Sequence, residues 1–186
     1  REMKRVVICI VAAIATGVAA QVPLMPDVKT NPNFEEDEEP WRELKEVETP
    51  AFPLQENLRE FYVGAATANN YFIDASTLSV GSDGIVRYVL VVRTAGGATN
   101  VSFEGINCKE RTWKHYATGR SDRSWVKSHA PRIEWRPIEN KPINRHHAAL
   151  SRDLFCPAGN AINTAEEGRN ALRLGQHPNS VSRISY

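Results

Sequence analysis

The stretch Asn70 to Cys108, NYFIDASTLSVGSDGIVRYVLVVRTAGGATNVSFEGINC, most narrows what this 186-residue chain can become. β-Branched and aromatic residues crowd between two turn clusters, Gly81-Ser82-Asp83-Gly84 and Ala95-Gly96-Gly97-Ala98, which predicts three strands joined by turns. In Ile85 to Thr94, Val86, Tyr88, Leu90 and Val92 alternate with Arg87, Val89, Val91 and Arg93. Successive side chains of a strand point to opposite faces, so the first set is expected on the core face and the second on a mixed, partly wet one. The next strand, Asn100 to Cys108, is ambiguous: Phe103 argues for one face inward, Cys108 for the other, and a bulge would satisfy both.

Two more strands are expected around this run, an edge strand within Leu58 to Ala65 and another over Arg111 to Thr118. Ser124 to Asn140, with Trp125, Trp135, Pro131 and Pro137, reads as a loop with an extended piece near Trp135. Its aromatics either cover the sheet edge or bind a ligand. Two helices follow. Pro142 suits a first turn, Ile143, His147, Leu150 and Leu154 recur at helical spacing, and Pro157 ends the element near Phe155. Thr164 with Glu167 forms a capping box for the second, and Gly175 stops it. The predicted class is α+β: an antiparallel meander of about five strands with one or two C-terminal helices, spanning residues 51–178, then a loose tail at 179–186.

Lys4 and Arg5 precede the apolar run Val6 to Ala15, and Val18-Ala19-Ala20 supplies small residues before Gln21, so residues 1–20 read as a cleaved signal peptide. About ten apolar residues are too few to span a bilayer, so no membrane span is expected once it is removed. Ile8 precedes Cys9 and the apolar run continues past it, which argues against lipid attachment. Cys108 and Cys156 then remain. In an oxidising compartment an even pair is most simply a disulfide, closing a loop of about 48 residues; a nucleophilic or metal-binding thiol is the competing use.

Residues 21–50 have the composition of a flexible arm, rich in proline and carrying Glu35-Glu36-Asp37-Glu38-Glu39. Residues 35–48 hold eight acids against Arg42 and Lys45, while the whole chain carries a formal charge of +1, so the remainder is basic. The arm is either a solvated linker or folds back on a basic face, with Trp41 and Leu44 as docking residues. A near-neutral total gives no sign of nucleic-acid binding.

Dedicated chemistry is sparse. The five histidines, at 115, 129, 146, 147 and 177, include no i,i+4 pair, and the adjacent His146 and His147 should point about 100° apart on a helix, so no metal site is expected. There is no G-x-S-x-G elbow and no H-E-x-x-H, and Gly96-Gly97 joins strands rather than opening a helix, so neither catalytic residues nor a cofactor is predicted. The densest polar cluster is Asn144-Arg145-His146-His147, followed by Arg152-Asp153. Arg145 and Arg152 would suit an anion; the alternative is a capping asparagine, a half-buried His147 and solvated charges. The candidate binding surface is therefore Arg145, His146 and Arg152 with Trp113, Trp125 and Trp135.

The blocks NYFIDASTLSVGSDGIVRYVLVV, NVSFEGINCKERTWKHYATGR, NRHHAALSRDLFCP and TAEEGRNALRLGQHP resemble the cryptic neisserial protein-like family of exported proteobacterial proteins, which brings no catalytic residues to carry over. More distantly, Asp74, Ser76, Cys108, Arg111 and Cys156 fall where surface-adhesin protein E domains have matching residues. That likeness implies an antiparallel sheet with a short helix tied on by a disulfide. The expectation is an exported, non-catalytic binding or structural module, periplasmic or envelope-associated, with an envelope protein or an anionic ligand as partner. The alternative is a small envelope hydrolase or other enzyme using the polar face around Arg145, His146 and His147.

Overall fold

Eight strands form one antiparallel sheet in the computed structural model, which describes residues 41–129, 134–141 and 145–180. They are β1 (Leu58–Phe61), β2 (Asn70–Asp74), β3 (Ser79–Val80), β4 (Val86–Arg93), β5 (Thr99–Asn107), β6 (Thr112–Gly119), β7 (Trp125–Lys127) and β8 (Arg136–Pro137). The spatial order is β1-β2-β4-β5-β6-β7, with β3 also on β4 and β8 also on β6. The five expected strands are the five longest; the other three are edge pieces of two or three residues. Pro131, Pro142, Ile143 and Asn144 lie outside the described residues, as do the expected signal segment, the arm up to residue 40 and the chain after Ser180.

Both faces of the sheet are covered, which explains why β4 reads as an almost unbroken apolar run. Val86, Tyr88 and Leu90 join one core with the helices, while Val89 and Val91 join Val101, Phe103, Tyr116 and Ala117 in a second core on the other face. The ambiguity at Phe103 and Cys108 resolves by simple alternation, since each face has its own core. A register shift does occur beside Phe103: Phe103 pairs with Ala117 but Glu104 with His115, leaving Tyr116 as the extra residue. Strict alternation would put Ala117 on the face of Trp113, and this bulge instead groups it with Tyr116.

The second core is roofed by residues 41–53, which run as a strap. Trp41 Nε1 donates to the Asp83 carbonyl at 2.8 Å and Leu44 N to Asp83 Oδ2 at 3.0 Å. Glu43 receives Lys114 Nζ at 2.6 Å, Tyr116 Oη at 2.9 Å and Trp135 Nε1 at 3.3 Å. Trp125 Nε1 donates to the Pro50 carbonyl at 2.9 Å and its ring packs 5.4 Å from Phe52. Residues 41–50, the last ten of the expected arm, thus lie on the sheet. A carboxylate with three donors is worth more there than in water, which an acidic composition alone does not reveal.

The other face carries α1 (Arg145–Ala149), continued by a π-helical turn over Leu150–Phe155, and α2 (Ala165–Leu174). The π turn is closed by Cys156 N donating to the Ser151 carbonyl at 3.0 Å, five residues back. It buries Leu150, Leu154 and Phe155 together and delivers Cys156 to the end of β5, where it bonds to Cys108. The disulfide ties the helical layer to the sheet. No described helix is long and apolar enough to cross a membrane.

Thr164 caps α2, its Oγ1 accepting from Glu167 N at 3.1 Å, but Glu167 returns the bond to Asn163 N at 2.7 Å, one residue before the expected partner. Gly168 lets α2 seat closely: a Cβ there would lie 2.5 Å from Leu78 Cδ2 and 2.6 Å from Ile162 Cδ1. Thr164→Ala is expected to lower stability by about 1 kcal/mol, read as a shift of the urea midpoint; an unchanged midpoint would mean the cap contributes nothing.

Candidate functional site

The chemistry-bearing residues gather beneath and beside α1. Glu104 projects from β5 into the helix-side core, on the strand face it shares with Ile106 and Cys108. Its carboxylate accepts from Ser102 Oγ at 2.7 Å and Tyr88 Oη at 3.3 Å and lies 2.9 Å from His147 Nε2. Burial alone would raise the Glu104 carboxyl, but the His147 hydrogen bond and charge, aided by His146 and Ser102, hold it below the usual range. Tyr88, wholly buried beside that carboxylate, has its phenol pushed well up.

His147 is 1% exposed and sandwiched between two rings, Trp113 at 3.8 Å and 20° on one side and His146 at 4.0 Å and 42° on the other. Tyr71 stacks on the outer face of His146 at 5.3 Å. Burial first, then the neighbouring His147, pulls His146 down to about 4, against an opposing pull from Glu104. The two histidines therefore converge instead of diverging by the helical 100°. Packing against Trp113 and Tyr71 fixes the ring positions, which backbone spacing does not.

Around the helix from this cluster lies a cleft of about 460 Å³, lined by Cys108, Arg111, Ile138, Asn140, Ala148, Ser151, Arg152, Cys156 and Gly159. A hollow of about 320 Å³ shares Asn140, Ala148 and Arg152 with it and adds Arg145. Arg145 packs over Gly64, where its Cδ and Nη1 come within 3.6 Å of a notional Cβ; with φ at +132° that position suits glycine alone. Arg145 Nε is buried without a hydrogen-bond partner. Arg152 is paired with Asp153 at 2.6 Å, whereas Arg111 and Arg145 have no acidic partner among the described residues. Arg111 also holds a left-handed φ of 52°, a conformation that costs a non-glycine residue about 1 kcal/mol or more.

A larger hollow of about 830 Å³ lies between the strap and the sheet. Glu43, Glu46 and Glu48 line it together with Lys45, Lys114 and Lys127, so its charge is internally balanced and the arginine cleft is the more selective place for an anion.

Of the residues anticipated from sequence, Arg145 and Arg152 share the hollow beside α1, and Cys108 with Cys156 forms part of the cleft wall. His146 lies in the ring stack instead. The three tryptophans do not share a groove: Trp113 is buried on the helix side, while Trp125 and Trp135 serve as hydrogen-bond donors to the strap. Asp74 and Ser76 form a turn, Ser76 N and Oγ both donating to Asp74 Oδ1, at 2.9 and 2.6 Å. Arg111, Asn140 and Glu104 were not picked out as site residues. The usable signal for Glu104 is an acid on the strand face shared with Cys108.

These features define a class: a single-sheet α+β domain whose helical layer is fastened by a disulfide and flanked by an arginine-lined cleft. Residues 36–173 match the model of the CNP1-like family, and the chain belongs to that family. The comparisons with curated proteins and with solved structures gave no match.

Proposed function

We propose that this chain is an exported, non-catalytic binding module of the bacterial cell envelope, and that its ligand carries an anionic group held by Arg111, Arg145 and Arg152. The observation that carries the reading is the adjoining cleft and hollow beside α1, the first lined by Arg111 and Arg152 and the second by Arg145 and Arg152, where Arg111 and Arg145 have no acidic partner among the described residues. Guanidinium forks match carboxylate and phosphate oxygens, and Asn140 adds a neutral polar group at the same wall. The apolar floor of Ala148, Ile138 and the disulfide favours a ligand with a hydrocarbon part beside its charge. Among the described residues the lining includes no histidine and no acid, which weighs against acid–base turnover there. Export is supported by the buried Cys108–Cys156 bridge, of a kind that persists in oxidising compartments, and by the charged-then-apolar N-terminal sequence.

The test uses inorganic phosphate, sulfate and citrate as probes in thermal-shift and calorimetric titrations. At least one is expected to bind saturably, and at one hundred times its Kd to stabilise the fold by about 2.7 kcal/mol. Arg145→Ala and Arg111→Ala should abolish that gain while leaving the ligand-free midpoint close to wild type. Binding that survives both substitutions, or the failure of all three probes, would count against the cleft.

A further inference from the structure

The ring stack beside α1 holds a second kind of site. Donor atoms of Glu104, His146 and His147 all lie within 4.8 Å of one another. We propose that these three residues bind one borderline divalent transition ion, of the zinc class, at a centre separate from the arginine cleft. Two imidazoles and one carboxylate are the donor set that such ions favour over calcium or magnesium, and three protein ligands leave a fourth position for water.

Two observations beyond the grouping itself favour an ion. The His146 ring stacks on Tyr71 and lies tilted at 42° against His147 but makes no hydrogen bond among the described residues, so both its nitrogens remain available. Ser102 and Tyr88 hydrogen-bond to the Glu104 carboxylate from the strand side, the outer support that orients metal-binding carboxylates.

Ligands about 2.0–2.2 Å from a tetrahedral ion stand ~3.4 Å apart, so on loading the widest separation in the cluster closes while the 2.9 Å His147–Glu104 contact opens. His146 makes most of that movement, being the least buried of the three. The ion takes the place of the direct His147–Glu104 contact. His115, His129 and His177 are absent from the group, and two of them are engaged elsewhere: His115 with Ser128 at 2.7 Å and His177 with Glu167 at 2.9 Å. The centre therefore draws on the two adjacent histidines that helical spacing alone sets apart.

The experiment is a titration of the chelator-treated full chain with Zn²⁺ against a chromophoric competitor, repeated with Co²⁺ to read its visible ligand-field bands. One ion per chain is expected, with intense bands typical of four-coordination. His146→Asn should weaken Zn²⁺ binding by about 100-fold or more, and Glu104→Gln should remove the Co²⁺ bands. Because Glu104→Gln disturbs a buried pair, the wild-type chain is also followed by long-range ¹⁵N–¹H spectra. Zn²⁺ should shift the ring nitrogens of His146 and His147 and leave those of His115 and His177 in place. A wild-type chain that binds no zinc, an undiminished affinity in His146→Asn, or shifts confined to the other histidines would each overturn the proposal. Binding of phosphate or citrate in the cleft is unaffected by any of these outcomes, so the two sites stand or fall separately.

Discussion

Asp83→Ala is expected to destabilise the domain by about 3–5 kcal/mol, measured by urea denaturation, because it leaves a buried guanidinium without its partner. Asp83 faces Arg87 through two bonds, Nη1 to Oδ1 at 2.9 Å and Nη2 to Oδ2 at 2.5 Å, with both side chains at most 5% exposed. It also accepts the amides of Leu44 and Ile85, so the same carboxylate supports the β4 turn and the strap. Burial by itself would raise the Asp83 carboxyl; the Arg87 hydrogen bonds and charge, with those amides, bring it below its ordinary value. The sign of the pH effect follows. A carboxyl depressed in the folded state adds stability above its unfolded value, about 3.9, and that part is lost as the pH falls through the folded value. The gap between wild type and Asp83→Asn should therefore narrow below about pH 4. A gap that stays constant down to pH 2 would show that the ion pair is not the source of the difference. Proteolysis offers a second readout: cleavage within residues 41–53 should accelerate in Asp83→Ala, since Leu44 loses its acceptor.

Replacing both cysteines, Cys108→Ser with Cys156→Ser, is expected to lower stability by roughly 2–4 kcal/mol, chiefly by freeing a loop of about 48 residues in the unfolded chain. The bridge lies inside the helix-side core, with Cys108 3% and Cys156 5% exposed, so the serine hydroxyls add a desolvation cost to the lost cross-link. Cys108→Ala with Cys156→Ala separates the two contributions and should fall less far. Reductant should reproduce the loss in wild type and leave both variants unchanged. A loss below about 0.5 kcal/mol in the alanine pair would show that the π turn seats on β5 without the bridge. The outcome also bears on the cleft, whose wall contains both cysteines.

Much of the fold is legible residue by residue. Period-two alternation in Val86 to Arg93, the glycine turns around it, the Pro157 stop and the Thr164 cap are local signals, and local signals survive into the structure where nothing competes with them. The covering of the second sheet face was not legible. Glu43 belongs to an acidic, proline-bearing segment that reads as solvated, and its three donors sit 71 to 92 residues away. The arginine cleft was half legible: Arg145 and Arg152 share a helix and a spacing, but Arg111 comes from the β5–β6 turn, with nothing in its neighbourhood to associate them. His146 and His147 were misread because ring direction is set by what the rings stack on. Trp113 and Tyr71, from two different strands, supply those surfaces.

The sequence by itself determined the α+β class, the strands around Asn70 to Cys108, the stops of the helical elements before Pro157 and at Gly175, and the pairing of Cys108 with Cys156. Each of these follows from periodicity, turn chemistry or counting, properties that a short stretch of chain carries with it. Only the tertiary structure decided that residues 41–53 roof the sheet, that Glu104 lies against two adjacent histidines, and that Arg111 and Arg152 line one cleft beside the disulfide. Those arrangements join residues from separate strands, turns and helices, and a buried charge is placed by the partners that desolvate with it, which no local pattern contains.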